Sequence, residues 1–95
     1  MKMKTTFTGV VSRVRTNELF KENDIRVSSF VIKDDETSNL FNVVAWQNKN
    51  MPNLNNLRND DVVRVSGSWR TETYLNSAGD PVEYTEMFAN ALTII

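Results

Sequence analysis

Apolar and polar positions alternate with a period of two along most of the chain, and the alternation breaks four times, which predicts five strands. The first runs from Thr5 to Arg15, with Phe7, Gly9 and Val11 on one parity and Thr8 and Val10 on the other. Gly9 inside it predicts a bend or bulge, the device by which one strand serves two sides of a small barrel. Residues 16 to 24 carry turn formers and read as a loop, with Leu19 and Phe20 folded against the barrel end and room for a short helical turn. Ile25 to Lys33 and Leu40 to Gln47 form a hairpin around the polar run Asp34-Asp35-Glu36-Thr37-Ser38-Asn39. Both hairpin strands are apolar on two faces: Phe41, Val43 and Ala45 oppose Leu40, Val44 and Trp46, and Phe30 and Ile32 oppose Val27 and Val31. A sheet with one face in water alternates apolar with polar, so the outer face is expected to be covered by another subunit or by a ligand with flat apolar surfaces.

Residues 48 to 61 are polar and Asn-rich, yet Met51, Leu54 and Leu57 recur every third position and Pro52 is compatible with a first helical turn. One or two turns capping the barrel are expected there. The fourth strand takes Val63, Val65, Gly67 and Trp69 inward and sends Arg64, Ser66, Ser68 and Arg70 outward; after a turn at 76 to 81 the fifth runs from Val82 to Ile94. The expected fold is all-β, a five-stranded Greek-key barrel of the oligonucleotide/oligosaccharide-binding type, with a short helix or turn between strands three and four, although barrels of other connectivity share the pattern. The 95 residues fit a single domain spanning 1 to 95.

Composition narrows the chemistry. The chain has no cysteine and no histidine, which removes disulfides, thiolate nucleophiles, imidazole bases and most zinc sites. It also has no glycine-rich phosphate loop and no paired-acid motif, so an enzyme, a cofactor and a metal site are not expected. Asp34-Asp35-Glu36 and Asp60-Asp61 lack calcium-loop spacing and suit turns. Eleven Lys and Arg against twelve Asp and Glu lack the basic excess of a duplex binder. Single-strand binding draws on base stacking worth about 1–3 kcal/mol per base, so local positive charge suffices. No apolar run approaches the roughly 20 residues of a membrane span and no signal segment precedes the first strand, so a soluble, cytoplasmic protein without a membrane partner is expected.

Two aromatics and five cations are the candidate site: Trp46, Tyr74, Arg13, Lys33, Arg64, Arg70 and Lys49. Trp46 lies on the strand face opposite Phe41, Val43 and Ala45, so its ring is presented outward when those three are core; Tyr74 sits near a hairpin tip, where packing partners are few. Trp69 shares parity with Val63 and Val65 and reads as core. Arg64 and Arg70 project from the fourth strand, and Arg13, Arg15, Lys33 and Lys49 flank the sheet, where they can track phosphates or serve as ordinary surface charge.

Phe7-Thr8-Gly9-Val10-Val11, Ser29-Phe30-Val31-Ile32, Phe41-Asn42-Val43-Val44-Ala45-Trp46, the run from Leu57-Arg58 through Val65-Ser66-Gly67, and Tyr84-Thr85-Glu86-Met87-Phe88-Ala89 follow one another along most of the chain. In this order they resemble successive blocks of the bacterial and phage single-stranded DNA-binding proteins. The resemblance implies stacking roles for the aromatics at Trp46 and Tyr74. An aromatic that the family carries earlier on the third strand falls at Leu40, and one in the second-to-third connection has no counterpart in this shorter loop. The family's disordered tail with its acidic, partner-recruiting tip is also without a counterpart in the 95 residues.

Residues and resemblance together lead to one expectation: sequence-independent binding and protection of single-stranded DNA in replication, recombination or DNA transfer, in a phage or plasmid setting. A homo-oligomer, dimer or tetramer, would cover the two-sided strands, and replication proteins are possible partners. The alternatives are a protein-interaction barrel of a replication or primosome complex and an RNA-binding barrel.

Overall fold

A computed structural model describes residues 5–19 and 25–95. It contains β1 (Thr6–Leu19), β2 (Ile25–Asp34), β3 (Leu40–Trp46), β4 (Val62–Leu75) and β5 (Pro81–Ile94), with one 3₁₀ turn, Leu54–Asn56, between β3 and β4. The strands close into a ring in the order β1-β2-β3-β5-β4. All pairings are antiparallel except β3 with β5, and β1 closes the ring by pairing Thr6–Val10 with β4. This all-β arrangement is consistent with the expected oligonucleotide-binding type of barrel.

Alternation builds the core as expected. Each strand turns every second residue inward, and Phe7, Val11, Phe30, Ile32, Val43, Val63, Val65, Met87 and Leu92 are all buried. The 3₁₀ turn adds Leu54 and Leu57 to the same core, with Met51 packed against it, so the three-residue spacing does mark a cap. Pro52 stands outside that turn, which begins after Asn53, whose side chain accepts the Asn55 N–H. Phe7, Phe41 and Trp69 form a triangle with centroids 4.8 to 5.6 Å apart, in which half-buried Phe41 and Trp69 pack against the core.

Two features of β1 depart from the expectation. The strand runs on to Leu19, because residues 15 to 19 pair with Ser29 to Ile25 in a ribbon held by the Thr16–Ser28 hydroxyl contact (2.7 Å) and the Glu18–Arg26 ion pair (3.4 Å). Polar residues populate both faces there, so alternation could not reveal it. The expected packing of Leu19 and Phe20 and a helical turn before Ile25 lie outside the described residues.

The bulge is also elsewhere than expected. Between Ser12↔Val31 and Arg15↔Ser29, two residues of β1, Arg13 and Val14, oppose the single residue Phe30. Gly9 instead meets β2 in regular pairing and is glycine because a Cβ would fall on the Lys33 carbonyl. A second irregularity lies between Ser66 and Gly67, where Asn90 is the extra residue of β5. No helix among the described residues is long and apolar enough to cross a membrane.

Candidate nucleic-acid interface

The bulge decides which way the β1 arginines point. Unbroken alternation would put Arg13 and Arg15 on the parity of Phe7 and Val11, facing the core; the extra residue reverses the parity, so Val14 turns inward and both arginines turn out. Arg13 takes φ of +54°, a left-handed value uncommon outside glycine. The displaced backbone is caught by the loop before β4. Asn59 Oδ1 accepts the Val14 N–H at 2.9 Å, and the backbones of Val11 and residues 60–61 exchange two further bonds of 2.7 and 2.9 Å.

Arg13 and Arg15 form one wall of an open groove of about 570 Å³ across the outer face of the ring. Its floor is β2 and β3, with Ser29, Val31, Asn42 and Val44, and its far wall is Tyr84 and Glu86 of β5. The backbones of β1 and β5 are separated by three inter-strand steps, about 14 Å, before side chains narrow the gap. A second depression of about 310 Å³, lined by Arg13, Val31, Leu40, Phe41 and Asn42, continues it toward Leu40. The apolar outer face expected from the sequence is thus present, with Val31 and Val44 half-buried and Leu40 exposed.

Tyr84 is 37% exposed and donates its hydroxyl hydrogen to Glu86 Oε2 at 3.0 Å. Partial burial, that hydrogen bond, and the nearby Glu86, Tyr74 and Glu72 raise its pKa above the usual tyrosine value, so the phenol stays a neutral donor. The ring therefore offers an uncharged face across the groove from two cations. That combination suits a stacked base with a neighbouring phosphate.

The other candidates spread along and around this face. Trp46, 46% exposed, stands two residues beyond Val44 on the same side of β3, outside the residues that line the groove. Lys49 follows in the next turn. Lys33 is exposed on β2 opposite Leu40, at the other end of β3. Tyr74, 53% exposed, pairs with Val82 and so lies diagonally across from Tyr84, extending the aromatic surface along the β4–β5 hairpin. It stands far from Trp46: seven residues of β5 separate Ala89, beside Ala45, from Val82, a span of about 23 Å.

Arg70 already has partners, with Nε 2.9 Å from Glu72 and the guanidinium 5.1 Å from the Phe88 ring centroid. Arg64 is exposed opposite Thr8 and Thr93, on the β1–β4 side of the ring away from β2 and β3. A strand touching both Arg64 and Trp46 would have to wrap the barrel.

The groove residues that sequence reasoning did not select are Tyr84, Glu86 and Asn42. Tyr84 and Asn42 carry outward parity on strands that were correctly placed, but nothing local says that β5 lies next to β3. The acidic runs serve turns: buried Asp34 accepts from the Thr37 hydroxyl (2.9 Å) and the Glu36 N–H (3.3 Å), and Asp61 Oδ2 accepts the Arg58 N–H (2.8 Å). No protein-family model matches this chain, and no curated protein matches it in sequence.

Proposed function

We propose that the chain binds single-stranded DNA without a strict sequence requirement, protecting strands exposed in replication, recombination or transfer. The observation that carries this reading is the open groove in which Arg13 and Arg15 stand across from Tyr84 over a floor of half-buried valines, with half-exposed Trp46 two residues beyond Val44 on the same side of β3. Cations on one wall of a groove and an aromatic face on the other are what a flexible polyanion with flat bases requires, and stacking tolerates any base because every base has a π-face. The ordered blocks that resemble those of single-stranded DNA-binding proteins support the same reading.

Tryptophan fluorescence tests it directly. Trp69 is half-buried and its ring packs against Phe7 and Phe41, whereas Trp46 is 46% exposed, so quenching by oligo-dT should come chiefly from Trp46. Trp46→Ala should abolish the quenching and weaken binding, followed by anisotropy of a labelled oligonucleotide, by about 1–3 kcal/mol, the range for one stacked base. Absence of binding to any oligonucleotide would remove the DNA reading. Equal affinity for the ribose strand of matching length would extend it to RNA.

A further inference from the structure

Glu86 lines the same groove as Arg13 and Arg15, and its charge is wrong for a surface that meets only phosphate. It is half-buried and lies opposite Asn42 across the parallel β3–β5 pairing. One of its oxygens accepts the Tyr84 hydroxyl hydrogen at 3.0 Å, which fixes the carboxylate while leaving further lone pairs open. Among the described cations none is paired with it. Arg70, its direct neighbour on β4, is turned instead to Glu72 and to the Phe88 ring.

We propose that Glu86 accepts a hydrogen bond from the exocyclic amino group of a base in the groove, so that the site prefers amino-bearing bases such as cytosine over thymine and uracil. The inference rests on the single-stranded DNA reading and adds a base preference to it. An ionised carboxylate can only accept. Cytosine presents its N4 amino group as a donor, whereas thymine and uracil present an O4 acceptor at the same position. Their one ring N–H lies between two carbonyl oxygens, both of which repel the carboxylate. A phosphate at this wall would be repelled as well, so the wall is left to bases while Arg13 and Arg15 serve the backbone. Asn42 offers both a donor and an acceptor and therefore does not discriminate.

Oligonucleotides of dC and dU provide the test, because they share sugar, backbone and ring size and differ in the groups that Glu86 would meet. Affinities are compared by anisotropy at fixed salt and mildly alkaline pH, where cytosine is unprotonated. The chain should bind dC more tightly by roughly three- to tenfold, the effect of one partly solvated, charge-assisted hydrogen bond. Glu86→Gln should bring the ratio close to one, chiefly by strengthening dU, since the amide both donates and accepts and carries no charge. The substitution keeps the size of the side chain, and thermal unfolding confirms that the variant is folded. Equal affinity of the unaltered chain for dC and dU, or a preference that survives Glu86→Gln, would overturn the inference while leaving DNA binding in place. Failure to bind either strand would overturn the DNA reading itself, and this preference with it.

Discussion

Asn59 accepts the backbone N–H of Val14 on its side-chain oxygen at 2.9 Å, bridging the loop before β4 to the two residues of β1 that have no partners in β2. This bond anchors the bulge that turns Arg13 and Arg15 outward. Asn59→Ala should cost about 1 kcal/mol of stability, the usual net value of one hydrogen bond, and should also weaken oligonucleotide binding through a residue outside the groove. Asn59→Asp retains the acceptor and should preserve both. Denaturant unfolding with a parallel binding titration checks it, and an alanine variant with unchanged affinity would show that the bulge holds without this bond.

Arg13 occupies a left-handed backbone conformation that costs a non-glycine residue of the order of 1 kcal/mol. Glycine removes that cost but adds a similar amount of unfolded-state entropy, so Arg13→Gly should leave stability within about 0.5 kcal/mol. Affinity should nevertheless fall. With Arg15→Gln added, the slope of log K against log salt should become shallower by roughly 1.4, for two lost phosphate contacts on a single strand. An unchanged slope would remove both arginines from the phosphate path.

Gly9 and Gly67 are required by close backbone approach. A Cβ at Gly9 would collide with the Lys33 carbonyl, and one at Gly67 with the carbonyl of Phe88 beside the β5 bulge. Neither obstacle is a side chain that can swing away. Alanine at either position should destabilise by about 2 kcal/mol or more, because strands must separate to admit it. Gly79, with φ of +82° and open space around it, should lose less on substitution, and that loss should come from backbone strain. Thermal unfolding of the three alanine variants ranks them.

Tyr84 should ionise above the pH of a free tyrosine, since partial burial and its bond to Glu86 favour the neutral phenol. The folded-state value is the higher one, so the associated stability is fully present below the unfolded value of about 10 and is lost as pH rises through the folded value. Phenolate absorbance during an alkaline titration should show a late rise that Tyr84→Phe abolishes. A rise at the ordinary tyrosine pH would mean that the O–H is not held by Glu86.

Much of this fold could be read from the chain because parity in a strand is a local property. Val63, Val65 and Trp69 on β4, Phe30 and Ile32 on β2, and Met51, Leu54 and Leu57 before β4 declared their inward faces through spacing alone. The outward placement of Trp46 followed from the same signal, and that of Tyr74 from its position near a hairpin tip. Parity also held a clue to the bulge, since unbroken alternation from Phe7 would have buried Arg13 and Arg15, a cost that charged side chains avoid.

Which residues meet across the groove was settled by pairing at long range. Tyr84 and Glu86 face the β1 arginines because β5 joins β3 in parallel, and Arg64 is carried to the other side because β4 closes onto β1. The sequence by itself determined the number of strands and the side of each strand that is buried, since solvation acts residue by residue. Only the tertiary structure decided the neighbours and the one-residue slip at Arg13, since both depend on hydrogen-bond partners tens of residues away.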